Sequence, residues 1–277
     1  MPQSWPDGHF YSPVPSRTDI ESGLASAPAE ILGIDFNETS EKEFLRGLVE
    51  VYGELRFPET KTSGRRYFYR NGSFGALDAV SLAAVAKRFR PRRIVEVGSG
   101  HSSAAMLDLR DDGLLADCQL SFIDPDFGRL EELLLPGDQD RVTLIRSKVQ
   151  DVPLTTYAAL ESGDLLFVDS SHVSKVGSDV NHLLFNVFPR LKSGVLIHIH
   201  DIFATFEYPV EWFREGRSWN EQYLVRAFLM YNSAFEVVAL TSRIFDTYNA
   251  TFREKLPATL ATGGGQLWLR KKGSGPV

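Results

Sequence analysis

Apolar residues recur along this chain in two rhythms. Residues 40–53 (SEKEFLRGLVEVYG) place Phe44, Leu45, Leu48, Val49 and Tyr52 at helical spacing, which predicts an amphipathic helix with Ser40 as its N-cap. Residues 76–89 (ALDAVSLAAVAKRF) predict a second helix, closed by Pro91. From residue 92 the rhythm changes. RRIVEVGSG, LSFIDPD (120–126), RVTLIRS (141–147), DLLFVDSS (164–171) and GVLIHIHD (194–201) are short apolar runs that close on glycine, serine or an acid. Helical patterns lie between them, near 102–110, 128–135, 154–162 and 178–192. A further helix is predicted near 220–232, with strands at 235–242 and 265–272. Strands alternating with helices at this pitch predict an α/β fold. It is doubly wound and Rossmann-like, a mostly parallel seven-stranded sheet with helices on both faces.

Two segments stand outside this rhythm. Residues 1–30 are rich in Pro, Ser, Gly and Asp and predict an irregular arm. Trp5, Phe10 and Tyr11 are costly to leave in water, so part of the arm is expected to dock. The reading is an N-terminal arm and helical extension over 1–75, then a cofactor-binding domain over 76–277. The second segment, 202–222, is too long and too aromatic for a solvated loop. Phe203, Phe206, Tyr208, Trp212, Phe213 and Trp219 could wall a substrate pocket or lid. They could equally pack a dimer interface, which would make a homo-oligomer, or receive the N-terminal arm.

Composition narrows the partners. Of 277 residues, 43% are hydrophobic and 24% charged, which excludes disorder over most of the length. The net charge is −6, so no general excess of Lys and Arg exists for nucleic acid or an anionic membrane. The single cysteine, Cys118, excludes an intrachain disulfide and a Cys-based zinc site, and the chain reads as cytoplasmic. No run approaches the roughly 20 apolar residues needed to span a bilayer.

In an open parallel sheet, ligands bind at the carboxyl ends of the strands, so the polar strand ends should gather on one edge. At the first end, Gly98, Ser99 and Gly100 permit a sharp turn, and Ser102 and Ser103 open the next helix. Glu96 beside that turn suits a cationic amino group better than a pyrophosphate. Ser103 occupies the third glycine position of a dinucleotide fingerprint, which weakens that reading. Asp124, closing the second run, can accept both hydroxyls of a ribose. Gln150 or Asp151 could reach an adenine edge. Asp169, His172, His200 and Asp201 end two neighbouring strands, whereas His198 lies inside its strand and reads as a satisfied core histidine. Asp169, His200 and Asp201 are the ligand types that hold Mg²⁺, Mn²⁺ or Fe²⁺ with positions left open. The same residues also suit metal-free chemistry, with His172 or His200 as general base and Asp201 orienting it.

The stretches VEVGSG, FIDPD, SKVQD, LLFVDSSH and GVLIHIHDIF resemble those of the class I S-adenosylmethionine-dependent methyltransferases, over roughly residues 76–272. Within them the chain looks most like a bacterial branch whose fourth motif reads VDSSH, distantly similar to catechol-type O-methyltransferases. The resemblance implies S-adenosylmethionine as cofactor. Glu96, Gly98 and Gly100 would lie at its methionine end and Asp124 at its ribose. Ser102 replaces the usual third glycine. Metal-dependent relatives place one acid after the fourth strand and two ligands after the fifth, which fall here on Asp169 and on His200–Asp201. The implied reaction is methyl transfer to a small molecule, at oxygen first and nitrogen second. The competing readings are metal-dependent oxidation or cyclisation on the same fold, and a binding module without activity.

Overall fold

The computed structural model describes residues 5–25 and 30–273. Expectations for residues 1–4, 26–29 and 274–277 lie outside them. The apolar runs become β1 (Arg93–Val97), β2 (Gln119–Ile123), β3 (Thr143–Ile145), β4 (Leu165–Val168), β5 (Leu196–His200), β6 (Phe235–Leu240) and β7 (Gln266–Lys271). They form one sheet in the order β3-β2-β1-β4-β5-β7-β6. The first five pair in parallel, and β7 runs antiparallel between β5 and β6.

Side chains alternate across this sheet. Ile94, Leu120, Phe122, Leu165, Phe167 and Trp268 enter the core on one face. Val95, Val97, Ile123, Leu166, Val168, Ile197 and Leu267 enter the core on the other. Both faces are covered, which is why β4 and β5 are buried at every position.

The helices are α1 (Arg17–Ala25), α2 (Glu38–Tyr52), α3 (Ala76–Phe89), α4 (His101–Asp111), α5 (Gly128–Glu131), α6 (Leu154–Ala158), α7 (Asp179–His182), α8 (Val210–Arg214), α9 (Glu221–Leu229), α10 (Thr241–Thr247) and α11 (Asn249–Lys255). α2 buries Phe44, Leu45 and Leu48 in the same core as α3 and α4. Its cap is Asn37, whose side chain accepts from the Ser40 N–H, and not Ser40 itself. The Ser40 hydroxyl instead donates to the Val238 carbonyl at 2.9 Å. The helix expected over 178–192 breaks after α7 into a π-turn (Leu183–Val187) and a 3-10 turn (Phe188–Arg190), where Pro189 lacks an N–H.

Part of the arm docks, as expected, but through a helix and not through its aromatic residues. It contains a helix, α1, which lies against α8 of the aromatic segment. Its aromatic residues do not dock. Trp5, Phe10 and Tyr11 are 45%, 82% and 65% exposed and touch mainly one another and His9. Among the described residues no helix is long and apolar enough to cross a membrane.

Ion pairs and hydrogen bonds lock the segment between α2 and α3. Arg66, 3% exposed, meets Asp138 at 2.6 Å, Asp108 at 2.7 Å and Asp111 at 2.8 Å. Burial disfavours its charge, but the three carboxylates outweigh that and hold the guanidinium above its ordinary pKa. Asn71 accepts from the N–H groups of Ser73 and Phe74, and the Tyr67 hydroxyl donates to the Phe74 carbonyl. Gly72, Ser73 and Phe74 are thereby fixed at the rim of the site.

Candidate active site

The β1–α4 turn is built around a glycine that only glycine can replace. Gly98 has φ +82°, and a Cβ there would be driven into the carbonyl oxygen of Asp169. The Asp169 N–H donates to the Val97 carbonyl at 2.9 Å, tying the ends of β1 and β4 together. Gly100 is extended, at φ 174°, and needs glycine less. Behind the turn Glu96 is fully buried. Its carboxylate accepts from the hydroxyls of Ser102, at 2.6 Å, and Ser103. Burial pushes the Glu96 carboxyl up to about 8, against the pull of those hydroxyls.

A cavity of ≈480 Å³ opens on this edge. Gly98, Ser99, Gly100, Ser102, Asp124 and Asp169 line it, as do His172, His200 and Asp201. Three residues expected at the cofactor stand elsewhere. Glu96 and Ser103 lie beneath the turn, bonded to each other. Gln150 is turned away and donates to the Gly177 carbonyl at 2.7 Å. Asp124 is held at the wall by the N–H groups of Ser99 and Asp126, each 2.8 Å from one of its oxygens.

Five titratable groups meet at the floor. His172 Nε2 lies 3.3 Å from Asp169 and 3.5 Å from Asp201, while its Nδ1 is 2.8 Å from Glu221. His200 Nδ1 lies 3.2 Å from Asp201 and 3.7 Å from Asp169. Both His172 and Asp201 adopt positive φ, 57° each, so the backbone is strained at the strand ends that carry them. Burial works against the His172 charge, yet hydrogen bonds with Asp169 and Glu221 push its pKa up to about 10. His200 is likewise held well above its ordinary value by Asp201 and Asp169, against burial. Burial would raise the Asp169 carboxyl, but the charge of His200 and the contact with His172 hold it well below the usual carboxylate range. One ligand atom each from Asp169, His200 and Asp201 lies within 4.8 Å of the others.

His198 is the core histidine its place in the strand predicted, stacked on Phe167 with ring centroids 3.7 Å apart. It is not satisfied, because neither ring nitrogen has a hydrogen-bond partner. Burial, and then the nearby His200 charge, drive it well below its ordinary pKa and keep it neutral.

A second cavity of ≈580 Å³ shares Gly72, Ser73, His200, Asp201 and Trp212 with the first. Its own lining includes Tyr69, Asp78 and Phe203. The aromatic segment is thus divided. Trp212 and Trp219 line the first cavity, and Phe203 and Trp212 the second. Phe206 is in the core, Tyr208 is buried behind Trp212, and Phe213 lines neither cavity.

Several groups here carried no sequence signal. Glu221 is almost 50 residues from His172, and only the return of the aromatic segment joins them. Asp78 sits in a helix read as core, yet its carboxylate is 3.6 Å from His200 Nε2. Arg129 follows the Asp124 strand end and lines the first cavity. Arg217 lies over the rings of Trp212 and Trp219, at 4.7 and 5.0 Å. An acid at the N-terminus of a predicted helix, as at Glu221, was the one available hint.

Residues 95–202 match a family described as a methyltransferase domain. A protein of uncharacterised function from Archaeoglobus fulgidus is 32% identical over 167 residues, covering 57% of this chain and 74% of that protein. Among solved structures, a Podospora anserina methyltransferase bound to S-adenosylhomocysteine is 16% identical, with TM-score 0.46, over 93% of this chain and 97% of that one. A CmcI structure with Mg and S-adenosylmethionine is 18% identical, with TM-score 0.38, over 80% and 83%. At those TM-scores the structural likenesses add nothing to what the residues say. The matched domain contains the Gly98 turn, Asp124, Asp169, His172, His200 and Asp201, so the strand ends that form the first cavity belong to a methyltransferase domain.

Proposed function

We propose that the protein methylates a hydroxyl oxygen of a small molecule, with a divalent metal ion held by Asp169, His200 and Asp201. The carrying observation is that the two cavities meet at His200 and Asp201. The first cavity fits the cofactor. The Gly98 turn leaves no side chain in the way, and Asp124 keeps a lone pair on each oxygen for ribose hydroxyls. The second cavity fits the acceptor. When bound, S-adenosylmethionine supplies a methyl group on a positively charged sulfur, and a metal ion would lower the acceptor hydroxyl's pKa.

The donor set fits a metal. With ligand distances of about 2.1 Å, neighbouring ligands stand about 3 Å apart. His200 Nδ1 lies 3.2 Å from one carboxylate and 3.7 Å from the other. His172 works beside this set. With its Nδ1 held by Glu221, its Nε2 can hold both carboxylates in place. Trp212 and Trp219 line the cofactor cavity and supply apolar wall beside the reacting centre.

A second reading has its own support. His172 already supplies a cation between Asp169 and Asp201, so the acids have a partner without metal. In that case His200 manages the acceptor proton. Elemental analysis and turnover in EDTA separate the two. The metal reading expects a bound divalent ion that His200→Ala loses, and activity abolished by EDTA and restored by Mg²⁺, Mn²⁺ or Fe²⁺. Full activity in EDTA with no bound ion would leave only the second reading.

A further inference from the structure

The charges of the second cavity do not balance. Three carboxylates line it, those of Glu59, Asp78 and Asp201; Arg70 faces the first, and His200, or a metal ion held with it, faces the last. Glu59 holds the Arg70 Nε at 2.5 Å, and Asp201 faces His200 Nδ1 at 3.2 Å. Asp78 is left over. It is 6% exposed, and its Oδ2 accepts from the Gly75 N–H at 2.8 Å. Its Oδ1 is buried with no hydrogen-bond partner, and His200 Nε2, 3.6 Å from Oδ2, is also without one. A buried carboxylate oxygen without a donor is costly, and a ligand that brings the donor relieves the cost.

The walls say what kind of donor. Phe203 and Trp212 meet edge to face with ring centroids 5.5 Å apart, and Tyr69 stands on the same cavity. Aromatic faces attract a cation and accept a flat apolar body. An anion would find no free cation here, since Arg70 is engaged.

We propose that the second cavity selects acceptors that carry an ammonium group on a flat apolar body, with Asp78 as the selecting residue. The proposal rests on the methyl-transfer reading above, in which this cavity holds the acceptor. The ammonium pairs with the Asp78 carboxylate, and the hydroxyl to be methylated faces His200 and Asp201. Asp78 acts through charge and hydrogen bonding alone, and no bond to it forms or breaks.

Three phenols of similar shape provide the test: tyramine, 4-ethylphenol and 3-(4-hydroxyphenyl)propionate. Each is titrated calorimetrically into the full-length protein saturated with S-adenosylhomocysteine and magnesium chloride. Tyramine is expected to bind about tenfold or more tighter than the propionate, with 4-ethylphenol between them. Asp78→Asn, which can still accept from the Gly75 N–H, should shrink that preference to about threefold or less and leave S-adenosylhomocysteine affinity unchanged. Glu59→Gln, at a half-exposed rim position, frees Arg70 and should narrow the preference without touching the core. Equal or tighter binding of the propionate, no binding of any probe to the loaded protein, or an undiminished preference in Asp78→Asn overturns the proposal. Failure of S-adenosylhomocysteine to bind the unaltered protein would instead strike the methyl-transfer reading.

Discussion

Exchanging Glu221 for glutamine removes one charge from beneath the site and keeps its shape. Glu221 and His172 are 4% and 5% exposed, and their atoms lie 2.8 Å apart. Removing one partner of a buried ion pair costs about 3–5 kcal/mol when the other charge is left alone. Here the loss is smaller for two reasons. Asp169 and Asp201 still face His172 Nε2, and the glutamine oxygen can still accept from Nδ1. Burial also raises the Glu221 carboxyl itself, despite His172, which offsets part of the pair's gain. The expected cost at pH 7 is about 2 kcal/mol, or roughly 4–8 °C in melting temperature for a chain of this size. The pH dependence has a definite sign. His172 titrates near 10 in the fold against an ordinary 6.5, so its stabilising contribution is complete below pH 6.5 and is lost as pH rises toward 10. Melting curves for both proteins from pH 6 to 10 should therefore converge at the alkaline end. An unchanged melting temperature at pH 7, or a difference that stays constant to pH 10, would rule out a stabilising Glu221–His172 ion pair.

Three further outcomes are expected. Asp124→Ala should weaken S-adenosylhomocysteine binding by about 1–3 kcal/mol in calorimetry, and unchanged affinity would remove Asp124 from the ribose. Glu96 titrates near 8, so its stabilising contribution is present below about pH 4.5 and lost as pH rises through 8. Glu96→Gln should melt above the unaltered protein at pH 9 and show a flatter profile, whereas parallel profiles would contradict the buried-acid assignment. Affinity for Mn²⁺ should rise from pH 6 to 8, because a ligating imidazole must be neutral and Asp201 and Asp169 hold the His200 proton tightly. A pH-independent affinity would exclude His200 as a ligand.

The sheet was legible because each parallel strand is a short apolar run that ends on glycine, serine or an acid. β1, β2, β4 and β5 therefore place Gly98, Asp124, Asp169 and Asp201 on one edge by topology alone. What was not legible depends on how the chain returns. Glu221 reaches His172 only because the aromatic segment folds back, and Asp78 reaches His200 across the layer between α3 and β5. Gln150 had the right strand end, but a loop carbonyl at Gly177 captured its side chain. Glu96 had the right motif position, but two hydroxyls from the following helix already satisfy it. Ser40 had the right residue type for a cap, and a carbonyl of β6 took its hydroxyl instead. Local pattern specifies elements and edges, whereas competition among nearby partners decides where each polar side chain points.

A crystal structure of the protein grown with S-adenosylhomocysteine is the decisive measurement. The ribose hydroxyls are expected against Asp124, the methionine end in the Gly98 turn, and the sulfur facing Asp169, His200 and Asp201 with the second cavity beyond. A ligand with its ribose away from Asp124, or with its sulfur directed away from the junction of the two cavities, would contradict this placement.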